Sequence, residues 1–356
     1  MKNKTQTKEL MPYAIAVGER MANEYLLKGD YFPKTSWGCE GQIYPSQMGV
    51  ALLELYKTEK NQLFLDGVKA VIESNIRKQL PSGGWALMLG ATGNGTKFEV
   101  TPHLVQLTAD IEDLPPTVTA LRLMADYRLF TGDASYDVAM KKGYEYLVTF
   151  WNEEEGAFDE MLVGEALKLR AKPKDYHIYS YQCIFSLSKI YPEAKQYVAP
   201  LYESAKEVFE EMNPFTYPLL HAMYAALIIE TEGKSDYVTE KVKKRVAEDI
   251  TFKSHFLIKE APGALGHHDG LRGIHLDEGH IRNSVGAALA MRFYDEHVEA
   301  GTFTNSDFYR DVTNWIISMY DGNGLFYEFV DIKSGERMGV GTPSQFLSVF
   351  WILGIF

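Results

Sequence analysis

The stretch Tyr127-Arg-Leu-Phe-Thr-Gly-Asp-Ala-Ser-Tyr136 decides the fold of this sequence. It ends one apolar helix, makes a tight polar turn and begins a second helix that carries an aromatic residue near its start. Three further stretches repeat the pattern: Tyr56-Lys-Thr-Glu-Lys-Asn-Gln-Leu-Phe64, Ile190-Tyr-Pro-Glu-Ala-Lys-Gln-Tyr197 and Ile229-Glu-Thr-Glu-Gly-Lys-Ser-Asp-Tyr237. A helical hairpin that recurs along a chain predicts a fold built by repeating it.

Hydrophobic periodicity extends this pattern to twelve helices. They are predicted at about 9–27, 44–59, 62–79, 115–132, 134–151, 176–190, 194–212, 215–232, 236–250, 281–296, 306–320 and 343–355. The even-numbered helices are rich in small and apolar residues, as in Val285-Gly-Ala-Ala-Leu-Ala290, whereas the others carry a charged stripe. Helices that are apolar on most sides should be enclosed by the helices that carry a charged stripe. The sequence therefore predicts an all-α (α/α)6 toroid of six hairpins.

Composition limits the domain organisation and the kinds of partner. The 356 residues are 46% hydrophobic and contain no Pro/Gly/Ser-rich linker, so we expect residues 1–356 to form a single toroid domain. A formal charge of −12 argues against a nucleic-acid partner. No apolar run reaches the roughly 20 residues of a membrane span, and the polar start lacks a secretory signal, so we expect a cytoplasmic protein. The two cysteines, Cys39 and Cys183, predict buried thiols and no disulfide framework.

Long connections precede most of the even-numbered helices, whereas the turns that follow those helices are mostly short. The long connections lie at 28–43, 80–114, 152–175, 251–280 and 321–342. Long loops on one face are where ligand chemistry usually occurs. These loops hold most of the unusual polar and aromatic residues: Trp37, Glu40, Trp85, Asp110, Glu112, Asp113, Asp159, Tyr176, His177, Tyr179, the run 267–283, Tyr327 and Glu328. We expect them to converge on one mouth of the toroid.

The acidic segment Asp110-Ile-Glu-Asp113 is the first candidate catalytic group. Three carboxylates within four residues repel one another, which can keep one of them protonated and able to act as a general acid. The alternative for Asp113 is helix capping, because it directly precedes Leu-Pro-Pro at a predicted helix start. One residue can do both.

The second candidate is a histidine-rich segment, since four of the nine histidines fall between His267 and His280. Imidazole exchanges protons near neutral pH, and guanidinium holds carboxylates or hydroxyls in fixed geometry. The candidates here are His268, Asp269, Glu278 and His280 for catalysis, and Arg272, Arg282 and Asn283 for substrate binding. The alternative is a salt-bridged structural loop with a helix cap. Histidines and carboxylates also suit zinc, iron or manganese, but the spacing matches no metal signature, so no metal and no cofactor is predicted and a metal stays a minority alternative.

Aromatic residues in the long loops form the third candidate group, together with the nearby Glu40. The proposed substrate-contacting residues among them are Trp37, Trp85, Tyr176, Tyr179 and Tyr327. Flat rings beside carboxylates, imidazoles and guanidiniums favour a sugar over a hydrocarbon ligand. Any single ring is more often part of a core.

Two families share features with this sequence. Pro81-Ser-Gly-Gly-Trp85, Thr131-Gly-Asp133 and Glu155-Gly-Ala-Phe158 resemble segments of the six-hairpin glycosidase superfamily and of toroid polysaccharide lyases. That resemblance implies the same toroid and activity on carbohydrates. The segment 110–113 also resembles the Asp-x-Asp-Asp motif of class II terpene cyclases, although the middle position here is Glu112. This second resemblance implies protonation of an alkene by that middle carboxyl.

The preferred function is therefore cleavage of an oligosaccharide, and this substrate can be one that contains uronate residues. In a hydrolase, a carboxyl of the segment 110–113 protonates the leaving oxygen, while Asp269 or Glu278 activates water. In a lyase, Arg272 or Arg282 neutralises the sugar carboxylate.

The proton in the lyase reaction passes through His268, His280 or Tyr179. Sequence alone does not decide between hydrolase, lyase and epimerase. A terpene cyclase that uses Asp110, Glu112 and Asp113, and a non-catalytic glycan-binding toroid, stay as alternatives. The expected partner is a small molecule or an oligosaccharide, and the oligomeric state is open.

Overall fold

The computed structural model describes residues 4–29, 43–85, 96–100, 103–107, 112–159, 161–162, 177–211, 218–232, 236–269 and 273–355. Twelve α-helices lie in these residues: α1 (Lys4–Lys28), α2 (Ile43–Glu59), α3 (Gln62–Arg77), α4 (Leu114–Thr131), α5 (Asp137–Val148), α6 (His177–Leu187), α7 (Val198–Glu211), α8 (Pro218–Glu232), α9 (Asp236–Ser254), α10 (Ile281–His297), α11 (Asp307–Ser318) and α12 (Thr342–Leu353). A 3-10 helix, Pro192–Tyr197, precedes α7. Every helix predicted from the sequence is present, with bounds that differ by at most five residues.

The even-numbered helices are the more deeply buried ones. Every residue from Ser284 to Tyr294 of α10 is buried, as is every residue from Thr342 to Ile352 of α12. By contrast, α11 buries a stripe that includes Val312 and Ile316. A helix buried all round must be apolar or small on every face, which is the composition that the sequence shows.

The chain forms two compact units, of which one comprises Ala22–Val208. In this unit α2 packs against α3 and α4, and α4 packs against α5 and α6. Small residues permit the close packing: a Cβ added at Gly143 would lie 2.8 Å from both the Leu121 side chain and the Trp85 ring. The helices here therefore fit together through specific side chains.

The other unit comprises Met1–Met21 and Phe209–Phe356. Helix α10 is its centre and packs against α8, α9, α11 and α12. The end of α12 is fixed by Arg292 of α10, whose Nη1 donates hydrogen bonds to the carbonyls of Trp351 (2.6 Å) and Ile352 (2.8 Å). A guanidinium at a helix C-terminus satisfies carbonyls that have no partner within the helix. The expectation of one toroid domain over residues 1–356 stays a prediction.

Short strands occur in the long connections, where the sequence predicted only loops. They are β1 (Thr96–Val100), β2 (His103–Leu107), β3 (Glu112–Asp113), β4 (Trp151–Asn152), β5 (Ala157–Phe158), β6 (Met161–Leu162), β7 (His267–Asp269), β8 (Gly273–His275), β9 (Glu278–His280), β10 (Phe329–Asp331) and β11 (Arg337–Met338). All pairings are antiparallel, and most strands are too short for a period-2 pattern to be recognised in the sequence.

Two of these pairings join different long connections. Strand β3, before α4, pairs with β6, which lies before α6. Strand β9, before α10, pairs with β10, which lies before α12. Within each unit, two successive long connections therefore lie side by side, and their role as a ligand-binding face stays a prediction.

The turn that decided the fold is held by its own side chains. Gly132 has a positive φ of 77°, and Asp133 accepts hydrogen bonds from the Ser135 hydroxyl (2.6 Å), the Ser135 amide (3.0 Å) and the Tyr127 hydroxyl (2.8 Å). These bonds lower the pKa of Asp133 from 3.8 to about 2. Burial, followed by the hydrogen bond to Asp133, raises the pKa of Tyr127. The Thr-Gly-Asp segment is thus a structural turn.

Among the described residues, no helix combines the length and the apolar character that crossing a membrane requires.

Candidate functional site

The structure describes the predicted site residues to different extents. Side chains are described for Trp85, Tyr179, Glu278, His280, Arg282, Asn283 and Tyr327, and only the backbone for Glu112, Asp113, His268 and Asp269. Trp37, Glu40, Asp110, Tyr176 and Arg272 lie outside the described residues. The predictions for this last group stay predictions.

The histidine-rich segment is brought together with the connection before α12 by a small antiparallel sheet. Strand β10 pairs with β9 on one side and with β11 on the other, so that Phe329 lies opposite His280 and Asp331 opposite Glu278. Strand β7, which contains the backbone of His268, lies against β9. Glu278 and His280 therefore share one three-stranded sheet, and the backbone of His268 and Asp269 lies beside it in the separate two-stranded sheet of β7 and β8.

His280 occupies the junction between this sheet and α10. Its amide donates to the carbonyl of Leu265 (2.8 Å), and its extended backbone makes it the residue immediately before the helix. The side chain is only 3% exposed, and its ring lies parallel to that of Phe329, with 6.2 Å between centroids and 6° between planes. An imidazole held in this way has a fixed orientation beside the positive end of a helix dipole.

Glu328 is a buried acid next to the same junction, and its side chain is 0% exposed. Its carbonyl accepts from the amide of Ile281 (2.9 Å), and its amide donates to the carbonyls of Met338 (3.0 Å) and Gly339 (2.8 Å). Gly339 has a φ of 70°, and a Cβ there would lie 3.0 Å from the Glu328 Cβ. The turn at 339 therefore encloses the carboxyl-bearing side chain.

Sequence reasoning placed Glu328 in the long connections but gave it no role. The signal that could have selected it is a single acid inside the aromatic and apolar run Phe326-Tyr-Glu-Phe-Val330. A carboxyl in such a run is buried together with its neighbours, and buried carboxyls are concentrated at functional sites.

A polar cluster at the start of α12 fixes the connection that carries Glu328. Gln345 accepts from the amide of Phe326 (2.9 Å) through Oε1 and donates to its carbonyl (2.9 Å) through Nε2. Ser344 donates to the carbonyl of Gly341 (2.7 Å). All these groups are buried, so the backbone around Tyr327 and Glu328 is rigidly held. Gln345 and Ser344 were not singled out from the sequence, because polar residues near a helix start are common.

The other predicted site residues of this unit differ in the hydrogen bonds and the exposure of their side chains. Asn283 donates through Nδ2 to the carbonyl of Gly266 (2.6 Å), which anchors the segment before β7. Arg282, Glu278 and Tyr327 are half-buried, so each retains some surface for a ligand. The anchoring bond gives Asn283 a structural task beside any contact with substrate.

The carboxylate of Asp331, which lies opposite Glu278, accepts hydrogen bonds from the turn that follows β10. It accepts from the amide (2.7 Å) and the hydroxyl (2.8 Å) of Ser334, and these bonds lower its pKa below the ordinary value. This carboxylate is stabilised in its ionised form. It is therefore a poor proton donor.

In the unit Ala22–Val208, Trp85 is a core residue with 0% exposure. Its indole Nε1 donates to the carbonyl of Asn75 (2.8 Å), and its amide donates to the Thr117 hydroxyl (3.1 Å). The ring therefore offers no surface to a ligand, and we leave Trp85 out of the site proposed below. Tyr179, in the first turn of α6, is half-buried.

The described residues contain no group of three or more His, Cys, Asp or Glu side chains arranged to hold a metal ion.

Comparison with known proteins identifies the fold. No protein-family model matches the sequence, and no curated protein sequence matches it significantly. Solved structures do match over nearly the whole chain. Cellobiose 2-epimerase from Spirochaeta thermophila DSM 6192 has a TM-score of 0.71 and 9% identity, and the match covers 99% of this chain and 97% of that chain.

Two further matches have different descriptions. A D-mannose isomerase matches with a TM-score of 0.64 and 11% identity, over 95% of this chain and 97% of that one. A possible member of the GH105 family from Salmonella enterica subsp. enterica serovar Paratyphi A matches with a TM-score of 0.60 and 9% identity, over 98% and 93%. Identities this low show the fold alone.

The protein therefore has the all-α (α/α)6-toroid fold of these solved structures, which confirms the fold predicted from the sequence. The particular proteins that it resembles in structure include sugar epimerases and a sugar isomerase.

Proposed function

We propose that this protein is a carbohydrate-processing enzyme that moves a proton on the carbon next to a sugar carbonyl, and so isomerises or epimerises a reducing sugar. The observation that carries the proposal is the buried imidazole of His280, oriented by Phe329 at the start of α10. The structural likeness to a D-mannose isomerase and to a cellobiose 2-epimerase supports the substrate class.

The proposed chemistry begins with the open-chain form of the sugar. A base removes the proton from the carbon next to the carbonyl, and the electron pair of that C–H bond moves toward the carbonyl oxygen to give an enediolate. Return of a proton to the former carbonyl carbon isomerises the sugar, whereas its return to the opposite face of the first carbon epimerises it. His280 is the proposed proton carrier, because imidazole is both an effective base and an effective acid near neutral pH.

Negative charge that develops on the enediolate oxygen needs a positive partner. The start of α10, directly after His280, presents the positive end of the helix dipole. Arg282, half-buried in the first turn of that helix, adds a guanidinium. Preorganised donors of this kind stabilise a transition state more than a ground state. His268 and Tyr179 stay proposed as further proton carriers.

Hydrolysis of a glycosidic bond is the second candidate, because two carboxyl-bearing residues lie in or directly beside the same small sheet. Glu278 lies in β9, and Glu328 directly precedes β10, the strand that pairs with β9. Hydrolysis uses two carboxyl groups, one as acid and one as base or nucleophile. The two candidates differ in whether the product contains an added water.

The test is incubation in D2O with D-mannose, D-fructose, D-glucose, cellobiose and uronate-containing oligosaccharides, followed by NMR and mass spectrometry. Isomerisation or epimerisation is expected to place deuterium on the carbon next to the carbonyl. His280→Gln is expected to lower the exchange rate by about 10²–10⁴-fold. The matched control is His297→Gln at the other end of α10, about 25 Å from His280 along the helix, which should retain activity within about twofold.

Products that gain a water molecule and contain no carbon-bound deuterium would replace the first candidate with the second. Exchange that survives His280→Gln unchanged would show that the proton carrier is elsewhere. Sugar binding without exchange or cleavage would support a glycan-binding protein and would contradict both candidates.

A further inference from the structure

The hydroxyl of Ser284 connects the backbone of His280 to the long connection that precedes α10. Its Oγ accepts a hydrogen bond from the amide of Leu265 (3.1 Å) and donates one to the carbonyl of His280 (3.3 Å). The carbonyl of Leu265 in turn accepts from the amide of His280 (2.8 Å). These three bonds form a closed hydrogen-bond cycle, and all three residues in it are buried.

The start of α12 has a similar arrangement. Gln345 is the fourth residue of α12, as Ser284 is of α10. Its Oε1 accepts from the amide of Phe326 (2.9 Å), and its Nε2 donates to the carbonyl of Gly341 (3.1 Å), the residue directly before the helix. In both helices the fourth residue therefore joins an amide of the long connection to the residue before the helix. At α12 that residue is a glycine, whereas at α10 it is His280.

The anchor to the long connection is also present at α4. Thr117, the fourth residue of α4, accepts from the amide of Trp85 (3.1 Å). In these three places the donated amide belongs to a large hydrophobic residue, which lies two positions after a glycine with positive φ. The values of φ are 109° at Gly83, 85° at Gly263 and 88° at Gly324. A polar fourth residue is thus a recurring structural anchor, so the copy at α4 is a matched control for the copy at α10.

We propose that Ser284 is a positioning residue for the imidazole of His280, an inference that rests on the proposed function. The hydrogen-bond cycle holds both the amide and the carbonyl of His280, whose φ of −115° and ψ of 122° are those of extended backbone. These two angles set the direction of the Cα–Cβ bond, and the parallel ring of Phe329 then sets the plane of the imidazole. The Ser284 hydroxyl therefore acts on the proton carrier through its backbone.

Removal of the hydroxyl should move the imidazole. It leaves the buried Leu265 amide without the acceptor that it has in the wild type, and a buried donor without an acceptor is costly. The segment around Leu265 should therefore shift until the amide has another partner. Since the carbonyl of the same residue holds the His280 amide, the shift is transmitted to His280. A misplacement of about 1 Å at a catalytic group can lower a rate by about 100-fold.

The kinetic test measures deuterium exchange of D-mannose and cellobiose in D2O. Ser284→Ala is expected to lower kcat by about 10–100-fold and to change KM by less than about threefold, because substrate binding is retained. Ser284→Thr should keep kcat within about fivefold, since a threonine hydroxyl in a helix can still bond to the carbonyl four residues earlier.

Thr117→Val is the matched control, because it removes the corresponding hydroxyl at α4. It should lower the Tm about as much as Ser284→Ala, since both leave a buried amide without its acceptor, but it should keep kcat within about twofold. Equal losses of kcat in Ser284→Ala and Thr117→Val would show that Ser284 has a structural role alone and would overturn the inference.

NMR of the His280 ring separates failure of this inference from failure of the proposed function. The imidazole signal of His280 is assigned among the nine histidines by its absence in His280→Gln. Its chemical shift depends on the nearby Phe329 ring, so Ser284→Ala should change the shift and Thr117→Val should not. If neither the shift nor kcat changes in Ser284→Ala, the inference is wrong and the proposed function stands. If the shift changes but the wild type exchanges no sugar, the proposed function is wrong and the positioning of the imidazole stands.

Discussion

Replacement of Arg292 by methionine should destabilise the unit that contains α10 and α12, because this guanidinium joins the two helices. The residue is only 7% exposed, and its Nη1 donates to the carbonyls of Trp351 (2.6 Å) and Ile352 (2.8 Å). Its Nε donates to Glu296 (2.7 Å), which is itself largely buried. Methionine preserves much of the side-chain volume and removes all three bonds.

The magnitude follows from what remains after the substitution. Loss of the guanidinium leaves a partly buried carboxylate without its cation and removes a charged donor from two helix-terminal carbonyls. Removal of one partner of a buried ion pair costs about 3–5 kcal/mol. For 356 residues that unfold in one transition, the entropy of unfolding is about 0.75 kcal/mol/K, so the expected decrease in Tm is roughly 4–7 °C.

The assay is urea and thermal unfolding followed by circular dichroism, with Arg310→Met as the matched control. Arg310 also contacts two acids, Asp307 at 2.6 Å and Asp311 at 3.4 Å, but its side chain is 61% exposed. An exposed ion pair contributes about 0–1 kcal/mol, so the control should change the Tm little. Equal effects of the two substitutions would refute the reasoning that burial makes the Arg292 contacts strong.

Two further predictions concern backbone turns. Because hydrogen bonds from Ser135 hold the pKa of Asp133 at about 2 in the folded state, its carboxylate stabilises the fold above about pH 4, and this contribution is lost as the pH falls toward 2. The difference in free energy of unfolding between wild type and Asp133→Asn should therefore shrink from pH 5 to pH 3, and a constant difference would contradict the assignment. Gly263 and Gly335 both have positive φ, but a Cβ would lie 2.0 Å from the Asp311 carbonyl at the first and within 4 Å of nothing at the second. In urea unfolding, Gly263→Ala should lower the free energy of unfolding by about 2–4 kcal/mol and Gly335→Ala by about 1 kcal/mol. Equal decreases would show that the backbone moves to relieve the clash between the new Cβ and the Asp311 carbonyl.

The helices were predictable because each is specified locally. The run Val285-Gly-Ala-Ala-Leu-Ala290 has no charged face, so it must be buried on every side, and all of its residues are buried in α10. The turn from Tyr127 to Tyr136 contains its own glycine and its own capping carboxylate, so it needs no distant partner. The toroid fold follows from repeating such hairpins.

The candidate site was predictable only in part. The histidine-rich segment does lie beside the connection before α12, and the imidazole of His280 is buried. However, the loop position of Trp85 predicts a ligand-contacting ring, whereas Trp85 is a core residue whose amide donates a hydrogen bond to Thr117, 32 residues further along the chain. A sequence does not show which loop aromatics are covered by other parts of the chain.

The sequence by itself determined the twelve helices and the (α/α)6 toroid, because periodicity and turn chemistry act over a few residues. It also determined that helices apolar on most sides alternate with helices that carry a charged stripe. Only the tertiary structure decided that Phe329 orients His280 and that Glu328 is buried. It also decided that Gln345 fixes the backbone of the connection that carries Glu328. These relations join positions about 50 residues apart or at the ends of short strands, and they depend on burial and strand register. Neither property has a local signature in the chain.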